Sequence, residues 1–171
     1  MHPAFSVIFF TVTSGAGYGL MALLCLFNFL YLGMLFDKNI FLIFSGISAV
    51  LFTMGLISST FHLANPKNAW RAFMRFRTSW LAREGLLAIL FYPTLFLYLL
   101  LIHLDFYKDY FLLMQIYSVL IFFFAILIIY CTGMIYACLK TIPQWNTPWT
   151  PINYITIGIY LGGLIFFALL S

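Results

Sequence analysis

Long apolar runs alternate with short polar breaks along the whole chain. The runs cover about 5–36, 40–63, 80–104, 111–139 and 152–171. A helix needs about 20 mostly apolar residues to cross the hydrocarbon core of a bilayer, and each run is long enough. Lipid offers no partner for bare backbone N–H and C=O groups, so each run is predicted to be a helix. The ten-residue alternation of a membrane barrel strand is missing. The expected fold is therefore all-α, a polytopic transmembrane helix bundle of about five spans, with 1–171 forming a single transmembrane domain.

The runs carry a few informative interruptions. "SGAGYG" in the first places Gly15 and Gly19 four residues apart, a small-residue face that lets another helix approach closely. Pro93 inside the third removes a backbone hydrogen bond and predicts a kink. Asn28 and Gln115 sit mid-span and read as interhelical glue.

The connections are uneven. "FDKN" and "DFYKDY" are short and share one side of the bundle. Two longer loops lie on the other side with the N-terminus. In "ANPKNAWRAFMRFRTS", Asn65 and Pro66 suit a helix start. Lys67, Arg71 and Arg75 then recur every four residues, and Trp70, Phe73 and Met74 form an apolar face. That pattern predicts a short helix lying flat in the interface. "KTIPQWNTPWTP" holds three prolines and two tryptophans, Trp145 and Trp149, so an irregular segment at headgroup level is expected. Together the two loops would roof a pocket between the helices.

Composition narrows the class further. The 171 residues are 65% hydrophobic and 7% charged, against about 25% charged in soluble domains. A net charge of +4 comes from few residues, and no basic face of useful size exists for nucleic acid. "MHPAFSVIFF" lacks the basic region and cleavage site of a signal peptide, so the first run is expected to be a retained span. Cys25, Cys131 and Cys138 all lie in apolar runs and read as core packing without metal-type spacing.

Against this background, 59–88 stands out: it holds five of the eight basic residues and the sole glutamate. Ser79 or Thr78 can cap the third helix, which puts Glu84 about one turn inside. An ionisable group there needs a partner or a wet cavity. Two readings fit Glu84: a carboxylate that snorkels or pairs with a loop arginine, and a proton acceptor in a pocket. His62 ends the second span on the same side, and the hairpin brings the two helix ends together. His62 and Glu84 would then flank one site and accept two protons, as a quinol requires when it loses electrons. A water-bonded interfacial histidine is the alternative. Haem is not expected, because His103 lies at the opposite end of the third span from His62, and His2 precedes the first. The arginines Arg71, Arg75, Arg77 and Arg83 fit topology setting, anionic lipid or an acidic docking partner, and Trp145 and Trp149 border the same face.

"FHLANPKNAWRAFMRFRTSWLAREG" resembles the second-loop segment of the dimethyl sulfoxide reductase membrane-anchor family, and "TIPQWNTPWTP" is similar to that family's next loop. The spacing from His62 to Glu84 also matches. The resemblance implies a haem-free anchor that oxidises menaquinol as its bound substrate. His62 and Glu84 fall at the family's quinol positions. It also implies an iron–sulfur partner subunit with 4Fe-4S clusters and, through it, a molybdopterin catalytic subunit. These serve anaerobic respiration in the bacterial inner (cytoplasmic) membrane. Ala64 replaces the family glycine, and five spans stand where the family has eight, as a short variant, a split protein or a truncation would. The face with the two long loops carries Lys67, Arg71, Arg75, Arg77 and Lys140, against Lys38 and Lys108 opposite. Positive charge alone would place that face inside; the family places it outside, and that orientation is the one expected. A purely structural anchor and a small transporter or channel component are the other classes in play. The latter is disfavoured because the polar groups gather at one face rather than mid-membrane.

Overall fold

A computed structural model describes residues 5–30, 37–60 and 74–171. Within them the apolar runs form five helices: α1 Phe5–Leu30, α2 Lys38–Thr60, α3 Trp80–His103, α4 Phe111–Ala137 and α5 Trp149–Leu170. All five are long and apolar enough to cross a membrane. Exposed Ile43, Val50, Phe96, Ile116, Phe123 and Phe167 give the bundle an oily outside suited to lipid.

The helices alternate in direction, so both ends of the bundle are built from starts and finishes. Ser58 near the end of α2 donates to the Ser6 carbonyl at the start of α1 (2.9 Å). At the other end, Ser118 of α4 donates to the Cys25 carbonyl of α1 (2.8 Å). Helix α1 runs through the middle, packed on α2, α4 and α5, while α3 lies against α4. Two small-residue contacts set these approaches. A Cβ at Gly19 would stand 2.0 Å from the Gly158 carbonyl oxygen of α5, and one at Gly17 would stand 2.6 Å from the Phe52 nitrogen of α2. The close approach expected at Gly19 is therefore present, with Gly158 and Gly162 as the facing surface.

The predicted polar glue also holds. Asn28 Nδ2 donates to the Tyr98 hydroxyl (2.9 Å), and Gln115 Nε2 donates to the Asn28 carbonyl (3.2 Å). In lipid such bonds contribute about 0.6 kcal/mol each, and up to about 1.7. Helix α3 runs through Pro93 without interruption. The Thr94 hydroxyl reaches the carbonyls of Leu90 and Phe91, and the Thr94 carbonyl accepts from the Tyr117 hydroxyl (2.8 Å).

Two expectations need correction. The last helix begins at Trp149, so Thr150 and Pro151 are helical rather than part of an irregular loop. Proline is tolerated there because the first N–H groups of a helix have no intrahelical partner. Cys138 is not core; it is exposed at the C-terminal cap of α4, while Cys25 and Cys131 are buried. The predicted interfacial helix falls largely on 61–73, outside the described residues. The chain then makes a short 3₁₀ turn at Met74–Arg75 and reaches the Ser79 cap. Ser79 Oγ accepts from Ala82 N (3.4 Å), as the capping pattern requires.

Candidate functional site

At the end of the bundle where α1, α3 and α5 begin, the start of α3 lies along the finish of α4. Glu84 sits one turn past the Ser79 cap and is only 4% exposed, on the face that also buries Ala88 and Phe91. The Thr132 hydroxyl meets Glu84 Oε1 from α4, and it also lies 3.1 Å from the Ile128 carbonyl oxygen one turn earlier. A hydroxyl has one proton and so donates to one of these at a time. Glu84 makes no ion pair among the described residues.

Arg83 leaves Glu84 alone because it turns the other way. Its Nε donates to the Phe76 carbonyl (3.0 Å) and its Nη2 to the Arg77 carbonyl (2.7 Å). Its guanidinium covers the Trp80 ring at 4.1 Å. The arginine thus ties the incoming turn to the first turn of α3. The loop arginines Arg75 and Arg77 make no ion pair with Glu84 either, and a carboxylate only 4% exposed does not snorkel.

Behind Thr132 lies a cavity of about 230 Å³ between α1, α4 and α5. Thr11, Ser14, Tyr18, Thr132 and Tyr154 are among the residues that line it, in a wall that is mainly apolar and includes Ile129. Tyr18 is held rigidly: its ring stacks on Phe52 (4.8 Å between centroids, 4° between planes) and meets Phe91 edge-on at 5.4 Å. Its hydroxyl is buried without a hydrogen-bond partner among the described residues. Gly133 lets α5 close on α4 at this level, since a Cβ there would stand 2.5 Å from the Pro151 Cα.

The other predicted residues are spread more widely. His62 and Arg71 lie outside the described residues. Helix α2 finishes at Thr60, at the same end of the bundle as Glu84. Arg75 and Arg77 are exposed on the turn that leads into α3. Trp145 is exposed in the following loop, with its ring against Tyr136 (5.4 Å), and Trp149 is exposed at the first position of α5. Neither tryptophan lines the cavity. Tyr18, Thr132 and Tyr154 escape the sequence reading. A threonine inside "IIYCTGMIY" is indistinguishable from one that merely satisfies its own helix, which Thr132 also does.

Fold and site define a multi-pass helical membrane protein with a carboxylate buried near one end of its bundle. The chain belongs to the family described as DMSO reductase anchor subunit (DmsC), whose model matches residues 1–171. It is 33% identical over 180 residues to the C subunit of the sulfite dehydrogenase of Allochromatium vinosum, across 96% of this chain and 54% of that protein. The chain therefore spans about half the length of that relative. No solved structure matches it.

Proposed function

We propose that this chain is the membrane anchor of a molybdoenzyme complex in the bacterial cytoplasmic membrane, and that it exchanges electrons with menaquinol. Oxidation of the quinol releases two electrons and two protons. The electrons pass to the 4Fe-4S clusters of an iron–sulfur subunit and through it to a molybdopterin subunit that handles the terminal substrate. Glu84 accepts one proton and His62 the other. The N-terminus, the loops at 64–79 and 138–148 and the first turn of α5 face the outer side, where Arg71, Arg75, Arg77, Trp145 and Trp149 would meet the iron–sulfur subunit.

Glu84 carries this reading. A charged residue costs about 2.5–3.5 kcal/mol at the centre of a span on insertion scales and less toward its ends, where it still needs a partner or a wet cavity. Glu84 is buried in a span, faces another helix and is matched by a hydroxyl rather than a cation. A hydroxyl leaves the carboxyl free to gain and lose a proton; an arginine would lock it ionised. Family membership supports the anchor role.

The name of the relative favours a second direction of flow. A sulfite dehydrogenase takes electrons from its substrate, so its anchor would reduce quinone rather than oxidise quinol. The same groups serve, with Glu84 and His62 giving protons instead of taking them.

The test is Glu84→Gln and His62→Gln in membranes that carry the assembled complex. Quinol-dependent turnover is expected to fall at least tenfold with normal amounts of partner subunits on the membrane. Unchanged turnover in both variants would reduce the chain to a structural anchor. Measuring menaquinol oxidation and menaquinone reduction side by side decides the direction.

A further inference from the structure

We propose that the cavity between α1, α4 and α5 is the head-group site for the quinol, and that Thr132 relays a proton between the bound head group and Glu84. The proposal rests on the quinol-linked reading of Glu84 and locates the ligand for it.

Three observations converge on this cavity. Its volume, about 230 Å³, is many times the roughly 30 Å³ share of one water and below the roughly 300–1,000 Å³ of sites that enclose a drug-sized ligand. It therefore suits a one- or two-ring head group whose tail stays outside. Val12 and Ile157 belong to the lining and are also exposed on the lipid-facing surface of α1 and α5. A tail can thus leave directly into the bilayer.

The lining chemistry matches a ligand with two ring oxygens. The hydroxyls of Thr11, Ser14 and Thr132 already donate within the protein, which leaves their lone pairs to accept from the two O–H groups of a quinol. Tyr18 is part of the lining. Its hydroxyl is buried away from the cavity and has no partner among the described residues, so Tyr18 contributes a fixed ring to the wall. That ring is held by stacking on Phe52.

Thr132 is the link, because it lines the cavity and Glu84 does not. When a quinol O–H breaks, its proton goes to Thr132 Oγ1 as the threonine's own proton moves to Glu84 Oε1. The neutral Glu84 then donates back to Thr132, whose proton turns to the Ile128 carbonyl 3.1 Å away. One O–H bond is lost at the ligand and one is gained at Glu84. This relay accounts for one of the two protons; the other goes to the second acceptor of the proposed function, and both electrons go to the iron–sulfur subunit.

The experiment uses membranes holding the assembled complex. An azido-naphthoquinone is photolysed in the unsubstituted protein and the adducts are mapped. Adducts on α1, α4 and α5 around Ser14, Thr132 and Tyr154 are expected; adducts confined to other helices overturn the assignment. Thr132→Val should lower menadiol oxidation at least tenfold while probe labelling stays within about threefold, and Thr132→Ser should restore the rate. Wild-type turnover in Thr132→Val removes the relay. Gly15→Leu, which projects into the cavity, should abolish labelling. If labelling and turnover survive Gly15→Leu while Glu84→Gln is inactive, the quinol reading stands and the location falls. If Glu84→Gln is itself fully active, the quinol reading falls with it.

Discussion

The Thr132 hydroxyl and the Glu84 carboxylate, 48 residues apart in sequence, form a direct side-chain bond between α4 and α3 inside the bundle. Removing one partner leaves the other buried and unmatched, which costs about 1–3 kcal/mol. Removing both with apolar groups of similar shape is close to neutral. Thr132→Val is therefore expected to lower the melting temperature of the detergent-purified protein, and the Glu84→Met/Thr132→Val double variant to recover most of the loss. Additive losses in that double-mutant cycle would mean that the pair is not coupled.

The α1–α5 contact has no room for a side chain at Gly19. Gly19→Ala places its Cβ 2.0 Å from the Gly158 oxygen, so two backbones must separate. Overpacking of this kind costs about 1–3 kcal/mol or more. Gly46→Ala meets nothing within 4 Å and should stay within about 0.5 kcal/mol of the parent. Steric-trap or thermal unfolding of the two variants side by side checks the contrast, and equal stability would contradict the packing.

Tyr98 offers a test of the polar glue. Tyr98→Phe deletes the acceptor for Asn28 Nδ2 while keeping the ring, which lies 6.2 Å from Phe41. A loss of about 0.6 kcal/mol is expected, with about 1.7 as an upper bound. Asn28→Leu should cost a comparable amount and should not add to Tyr98→Phe, because both remove one bond.

The opposite end of the bundle has its own latch. Lys38 Nζ lies 2.8 Å from Asp105 Oδ1 and donates to the His103 carbonyl (3.2 Å), tying the start of α2 to the end of α3. The Lys38 hydrogen bond holds the Asp105 carboxyl below its ordinary value of 3.8, with Lys108 assisting. A carboxyl with a depressed folded-state pKa stabilises fully above its unfolded value and loses that contribution as pH falls through the folded one. The latch should therefore be intact at neutral pH and weaken below about pH 4. Asp105→Asn should flatten that acid limb and lower the neutral-pH melting temperature by a few degrees at most, since the pair is solvent-screened. Asparagine also tolerates the left-handed φ of 59° at this position, so a large loss would point to another cause.

Much of this was legible in the sequence because lipid simplifies the problem. Apolar length alone located α1 to α5 to within a few residues at most ends, and the Thr78–Ser79 pair announced the start of α3, with Ser79 proving to be the cap. The small-residue spacing at Gly15 and Gly19 signalled a close neighbour, though not which helix it would be. Glu84 was conspicuous as the sole glutamate in an oily chain. Thr132 and Tyr18 were not, because hydroxyl and aromatic residues are ordinary inside membrane helices and only three-dimensional packing reveals which of them meets a carboxylate or borders a void. Pro151 misled through its usual meaning as a helix breaker, when the opening turn of a helix is the one place that accepts it.

The central position of α1 carries a consequence for biogenesis. Asn28 and Cys25 accept, through their carbonyls, from Gln115 and Ser118, which emerge 87 and 93 residues later. At about 5–20 residues per second, α1 waits roughly 4–19 seconds for these α4 side chains, and longer for Gly158 and Gly162 of α5, which close on its glycine face. During that interval its glycine face and Asn28 stand against lipid or the insertion machinery. Newly made α1 is thus the segment of this chain most in need of a temporary companion during translation.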